Sequence, residues 1–225
     1  MAYRRTENVV RRLAARHDAI VAAAGSLAAE AGINAVQIAP VAERAGIAAG
    51  TVYRYFPSKT DLVAALVEAV SEREIGAMRG AADAAPGPLS ALAAAITTLA
   101  ARALSERKLA FALIGEPVDA DTETARLKFR ADLVAELSRR LSLAMNGGHL
   151  PEQDIKVAAP ALLGGLIEGL VGPLAPAAAD ESKTRDAVQT LTLFALRAVG
   201  VADARARGLV VQTKVPGKPK AVQAS

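Results

Sequence analysis

The chain of 225 residues contains no cysteine and no tryptophan, and only two histidines, three tyrosines and four phenylalanines. Each scarcity closes off a kind of chemistry. Without cysteine there is no disulfide, no thiolate metal site and no thiol nucleophile, a composition that suits a reducing, cytoplasmic setting. His17 and His149 lie far apart in sequence, and neither has a neighbouring Ser–Asp pair or metal-ligand spacing. No Walker-type or dinucleotide-binding glycine loop occurs, and Gly147-Gly148 reads as a turn. The reading is therefore of a protein that is not an enzyme and needs neither cofactor nor metal. The N-terminus carries arginines but no apolar core of roughly 7–15 residues ahead of a cleavage site, so no signal peptide is expected. Apolar residues make up 52% of the chain while aromatics make up 3%. Alanine fills much of the difference. Long alternating β-branched runs are missing, and Ala and Leu favour helix, so the fold class is all-α.

Charge is unevenly spread. Residues 1–65 carry eight Lys/Arg against five Asp/Glu, a net +3; residues 66–200 carry fourteen against seventeen, a net −3; residues 201–225 carry five against one, a net +4. Basic ends around an acidic middle suit an N-terminal nucleic-acid module on a larger body that does not bind DNA.

The most informative stretch is Val36 to Lys59, VQIAPVAERAGIAAGTVYRYFPSK. Ile38, Val41, Ala42 and Ala45 fall at the spacing of one buried helix face. Gly46 supplies a sharp turn, and Ile47 plugs the corner. A second helix of about two turns then begins at Gly50, with Val52 and Phe56 sharing its inner face at i, i+4. Thr51, Tyr53, Arg54 and Tyr55 are left pointing outward. Two of the three tyrosines on one exposed face, beside an arginine, are the hydroxyl and guanidinium donors that reach phosphates and base edges in a major groove.

This stretch resembles the DNA-binding signature of the TetR family of helix-turn-helix transcriptional regulators. The residues that carry the resemblance are Ala42-Glu43-Arg44-Ala45-Gly46-Ile47, then Gly50-Thr51-Val52-Tyr53-Arg54-Tyr55-Phe56-Pro57-Ser58-Lys59, and then Asp61-Leu62. The resemblance covers about a fifth of the chain. It implies a three-helix DNA-binding domain over residues 1–65 and a larger helical domain for effector binding and dimerisation over residues 66–202, about nine helices altogether. Gly50, Thr51, Tyr53, Arg54, Tyr55 and Lys59 become the expected DNA contacts, with Thr51, Tyr53, Tyr55 and Lys59 at positions that contact phosphates and Arg54 and Tyr53 the candidates for base contacts. Three positions depart from the family pattern. Gln37 replaces the usual Ser or Thr cap, while Ala48 and Ala49 can neither cap the second helix nor touch a phosphate.

The rest of the chain reads in order. Arg4, Arg5, Arg11 and Arg12 form either a basic arm or a solvated terminus. Ile20 to Ala31 make an apolar stripe, with Gly32 ending that helix. Ser58 and Asp61 cap and charge a helix that runs to about Arg79 and links the two parts. Ser105 to Lys108 interrupt an Ala-rich apolar helix, and Glu116-Pro117 end the segment after it. Asp121 is expected to cap a long helix to about Met145, and Pro151 to open the next. Val157 to Pro176 hold one charge, Glu168, in twenty residues. That is long enough to span a membrane, but Pro160, Pro173, Pro176 and the carboxylate argue for a buried helix and no membrane. Residues 203–225 are basic and rich in Pro and Gly, and are expected to be disordered.

The two apolar segments 157–176 and 180–200 exceed what one small bundle can bury, and predict a homodimer through a four-helix interface. The resemblance also implies a pocket for a small apolar or amphipathic effector in residues 85–200. Ile96, Leu99, Phe111, Leu113 and Phe129 are its expected apolar lining, with Leu127 and Leu166 beside them, and Arg102, Glu116, Arg130 and Glu168 its polar groups. Each apolar residue reads equally as plain core. The expected function is a ligand-responsive repressor released from a palindromic operator. The rival is an all-α dimeric interaction protein without specific DNA readout, which Ala48 and Ala49 slightly favour.

Overall fold

The computed structural model describes residues 2–176 and 180–217. Among them the chain forms ten α-helices and one 3-10 turn, with no strand. The first helix, α1 (Ala2–Ala31), ends where Gly32 turns left-handed at φ +85°, a conformation that costs a residue with a Cβ. The 3-10 turn Ile33–Ala35 follows, then α2 (Ile38–Arg44) and α3 (Ala49–Tyr55). Ile20, Ala24, Val36, Val41, Val52 and Phe56 from these segments are buried together with Leu62 at the start of α4 (Lys59–Asp83). This small core fixes the angle between α2 and α3.

α4 leaves the small unit and enters the larger body. Its root is secured by a reciprocal capping box. The Ser58 hydroxyl accepts the Asp61 amide at 3.1 Å, and the Asp61 carboxylate accepts the Ser58 amide at 3.0 Å. Pro88 then opens α5 (Pro88–Ser105), the axis of the body, which touches every later helix as well as α4. α5 is long and apolar enough to cross a membrane by length and composition, yet most of it is buried against its neighbours. The helix stops as expected at Ser105, whose hydroxyl bonds the Arg102 carbonyl at 2.9 Å. α6 (Arg107–Ile114) turns off from it, and α7 (Ala120–Asn146), α8 (Ile155–Val171), α9 (Glu181–Ala198) and α10 (Asp203–Gln212) complete the body.

Several expectations need correction. Asp119, not Asp121, caps α7, its carboxylate accepting the Thr122 amide at 2.8 Å. The helix after Pro151 starts only at Ile155, because Asp154 is the residue that caps it. Residues 203–212 are helical rather than disordered: Ala206, Leu209 and Val210 lie at i, i+3, i+4 and bury against the body. Residues 218–225, the rest of that expected tail, lie outside the described residues. The α8 segment is not buried on most sides. Val157 is 65% exposed, and Pro160, Ala161, Gly164 and Glu168 are exposed along the same stripe.

Two buried charge clusters tie the helices together. Glu136 on α7 has a fully buried side chain and accepts hydrogen bonds from Arg79 on α4 at 3.0 Å, Arg139 at 3.0 Å and Arg140 at 2.7 Å. Arg140 also reaches Asp83 at 2.8 Å. Glu74 on α4 accepts both nitrogens of Arg102 on α5, at 2.6 and 2.9 Å, in the two-pronged geometry that orients a guanidinium.

Candidate nucleic-acid interface and effector cavity

The α2–α3 turn follows from three residues. Gly46 adopts φ +65°. The Ile47 amide bonds back to the Ala42 carbonyl at 3.0 Å, and the Gly46 amide to Glu43 at 3.1 Å, a Schellman closure of α2. Neither leading helix has a side-chain cap, as Gln37 and Ala48 predict; the Gln37 amide bonds the Asn34 carbonyl instead. Arg44 grips Glu30 of α1 through both nitrogens at 2.6 and 2.7 Å and so pins α2.

On α3, Val52 and Phe56 face inward and are 0% and 4% exposed. Tyr53 is 54% exposed, Arg54 is exposed, and Gly50 is exposed with open space where a Cβ would stand. Thr51 and Lys59 are half-buried at the rims of the face. Tyr55 departs from the expectation: it is half-buried and its ring packs on the small core. His17 of α1 lies against Phe56 with ring centroids 5.0 Å apart. The N-terminal half of α1 is helical, with Arg11, Arg12, Val9, Val10 and Leu13 exposed; the side chains of Arg4 and Arg5 lie outside the described residues.

The larger body holds a cavity of about 40 Å³ between α4, α5, α6 and α7. Of the candidate pocket residues, Leu99, Leu113, Phe129 and Arg102 line it, together with Val70, Leu109, Ala110 and Ile114. Its polar rim is the Arg73, Glu74, Arg102 and Glu106 group. Hydrogen bonding to Glu74 raises the Arg102 pKa above its ordinary value. The other candidates stand elsewhere. Ile96 and Leu166 belong to the closed core. Phe111 and Leu127 are 41% and 56% exposed on outer faces. Glu168 is exposed on the open stripe of α8 and needs no buried partner. Arg130 donates to the Ile114 carbonyl at 2.9 Å. Glu116 turns away from the cavity altogether. Its carboxylate accepts the Ile33 amide at 2.9 Å and the Asn34 side-chain amide at 3.2 Å, across the boundary to the small unit.

Sequence reasoning missed Arg126. Only 4% exposed, it donates to the Leu113 carbonyl at 2.7 Å and the Glu116 carbonyl at 2.6 Å. With Arg130 it satisfies the carbonyls that the C-terminus of α6 leaves open, where a cation is favoured. Burial pushes the Arg126 pKa down from its ordinary value. The signal available was its place at i, i−4 from Arg130 on an apolar helix, but the carbonyls it meets are ten or more residues away.

Residues 20–66 match the family model described as bacterial regulatory proteins, tetR family. The HTH-type transcriptional repressor KstR of Rhodococcus jostii (strain RHA1) is 47% identical over 58 residues, 26% of this chain and 27% of that repressor. KstR of Mycobacterium tuberculosis (strain ATCC 25618 / H37Rv) is 48% identical over 48 residues, 21% of this chain and 22% of its own length. The chain thus matches about a quarter of these curated relatives' length. Solved structures match more widely. RolR in complex with resorcinol aligns over 95% of this chain and 99% of its own, at 23% identity and a TM-score of 0.64. FadR from Bacillus subtilis in complex with stearoyl-CoA aligns over 82% and 98%, at 21% identity and a TM-score of 0.67. At these identities the likeness establishes the fold.

Proposed function

We propose that this chain, a TetR-family protein by its helix-turn-helix, is a cytoplasmic, ligand-responsive transcriptional repressor rather than an enzyme, divided near residue 65 into DNA-binding and effector-binding parts. The observation that carries the reading is α3. Its apolar residues Val52 and Phe56 are spent on the core, while Gly50, Tyr53 and Arg54 stand exposed. Thr51 and Lys59 flank them, with Lys59 at the N-terminus of α4, where free amides favour a phosphate. Tyr53 and Arg54 reach base edges; Gly50 allows close approach of the backbone, and Thr51, Tyr53, Tyr55 and Lys59 serve the phosphates.

A homodimer supplies the second recognition helix for a palindromic operator. The exposed stripe of α8, with Val157, Ala161 and Gly164, together with Phe194 of α9 at 54% exposed, is the surface that pairs. Two copies of α8 and α9 make the four-helix interface. Gly169 is already used within the protomer, since a Cβ there would lie 2.6 Å from Leu191.

The effector enters the α4–α7 cavity. RolR holds resorcinol and FadR stearoyl-CoA. A cavity of about 40 Å³ has room for about three water positions and suits a compact ring or short chain better than a long acyl group. A hydroxyl on it would meet the Arg102–Glu74 pair, both of whose groups can hydrogen-bond. Binding favours the conformation whose recognition helices no longer fit successive grooves.

The test is a mobility-shift titration with duplex DNA from beside the protein's own gene. Tyr53→Ala and Lys59→Ala each weaken binding roughly tenfold, leave sedimentation of the dimer unchanged, and Lys59→Ala lowers the salt slope by about one. Unaltered affinity in both variants would overturn the reading and favour the interaction protein without DNA readout.

A further inference from the structure

We infer that the Glu116 carboxylate is a latch that transmits displacement of α6 directly to the α1–α2 junction of the DNA-binding unit. The inference rests on the function proposed above and assigns its regulation to a residue. It starts from three contacts on one side chain. Oε2 accepts the backbone amide of Ile33 at 2.9 Å, and Oε1 accepts the side-chain amide of Asn34 at 3.2 Å. Both partners belong to the 3-10 turn between α1 and α2, more than eighty residues away in sequence. The third contact is steric: a Cβ on Gly32 would lie 2.7 and 2.8 Å from the two carboxylate oxygens. Gly32 therefore serves twice, once for its φ of +85° and once to make room for the carboxylate.

The 3-10 turn has no side-chain cap of its own. Its first amide, on the 3% exposed Ile33, is unpaired except through Glu116. A buried amide without a partner carries a desolvation penalty, so the carboxylate is bound to this turn more firmly than a surface hydrogen bond would be. The turn in turn sets where α2 starts, and α2 sets α3.

The other end of the latch is in the cavity wall. Glu116 follows α6 by two residues, and Leu109, Ala110, Leu113 and Ile114 of α6 all line the cavity. Arg126 clamps the Leu113 and Glu116 carbonyls with one guanidinium. The α6 C-terminus and the Glu116 backbone therefore move together. α6 and α1 also pack against each other directly. A molecule that shifts α6 within the cavity must drag the carboxylate, and the carboxylate either pulls the Ile33 turn along or releases it. This route runs beside α4 and does not pass through it.

The chain has no cysteine, so distances between introduced labels are clean. Spin labels at Glu43→Cys on α2 and Ala131→Cys on α7, both exposed positions, report the separation of the two units within one protomer when diluted into unlabelled protein. Ala110→Leu fills the cavity from α6 and stands in for an occupant; Ala103→Leu, from α5, fills the same cavity should the first variant not fold. The label distance shifts by on the order of 1–2 Å with the filled cavity, the scale of helix adjustments at such contacts. In the Glu116→Ala background at least half of that shift is lost, and Glu116→Gln, which keeps an acceptor for Ile33, restores most of it. An equal shift with and without Glu116, or no shift in the wild-type background, overturns the latch. If the protein bound no promoter DNA in any form, the function proposed above would fail, while the label distances would still decide the latch.

Discussion

Removing the Glu136 carboxylate should loosen the joint between α4 and α7 by a predictable amount. Its side chain is fully buried and serves three guanidiniums, those of Arg79, Arg139 and Arg140. Arg79 and Arg139 are 56% and 45% exposed and can return to water, so their loss costs little. Arg140 is 4% exposed and cannot. Breaking one half of a buried pair destabilises by about 3–5 kcal/mol because the remaining charge is stranded. Arg140 keeps Asp83, an exposed partner at 2.8 Å, so Glu136→Ala falls at the lower end, about 3 kcal/mol. For a chain of this size that is a fall of about 6–12 °C in melting temperature, read by circular dichroism at neutral pH. Replacing both partners, as Glu136→Met with Arg140→Met, strands no charge and should cost less than Glu136→Ala alone.

The same site fixes an acid dependence. Burial pushes the Glu136 carboxyl up, but hydrogen bonds from Arg139, Arg79 and Arg140 outweigh it and hold the pKa below the usual carboxylate range. A group with a lowered native pKa stabilises fully above its unfolded value, about 4.3, and loses that contribution as pH falls through the native value. The gap in melting temperature between wild type and Glu136→Gln should therefore be widest near neutrality and shrink below about pH 4.3. A fall under about 2 °C for Glu136→Ala, or a double variant worse than the single one, would refute this account.

Two further outcomes can be measured. Gly46→Ala meets nothing within 4 Å, so its cost is only the left-handed backbone, about 1–2 kcal/mol in urea unfolding. Gly32→Ala should cost more, because its Cβ collides with the Glu116 carboxylate and its φ of +85° with ψ 171° is a conformation essentially reserved for glycine; a Glu116→Ala background should remove the collision's share and leave the backbone cost, and an unchanged cost in that background would remove the steric argument. Phe194→Asp, which places a charge on the exposed face of α9, should sediment as a monomer at micromolar concentration, and a persistent dimer would move the interface elsewhere.

What could be read from the sequence was local. The α2–α3 turn was legible because Gly46, Ile47 and the inward pair Val52 and Phe56 lie within eleven residues, and each has a conformational reason that needs no distant partner. The Ser58–Asp61 cap and the break at Ser105 were legible for the same reason. Caps were misplaced by a few residues where two acids competed, as with Asp119 and Asp121. The cavity was half legible: α5 and α6 had to contribute apolar residues, but which faces turned inward depended on how the helices crossed. Phe111 therefore went outward while Leu113 went inward. Glu116 and Arg126 were illegible in role, since each acts on backbone groups of another element. In α10 the basic composition masked an apolar triplet, Ala206, Leu209 and Val210, that needed only one neighbouring helix to bury it.

The capped root of α4 has a geometric consequence. From Lys59 to Arg79 is twenty-one residues of unbroken helix, about 30 Å at the usual rise. Arg79 is held to Glu136 at the far end, and the Ser58–Asp61 box keeps the near end from fraying. A rod of that length, tilted by about 4° at its anchor, carries its tip through about 2 Å, enough to lengthen a hydrogen bond past usefulness. Angular play too small to disturb the packing of the body is thus magnified to the scale at which the phosphate contacts proposed for Tyr53 and Lys59 would be gained or lost. The stiffness of the rod, set by one buried carboxylate and one serine, governs how widely α3 can wander.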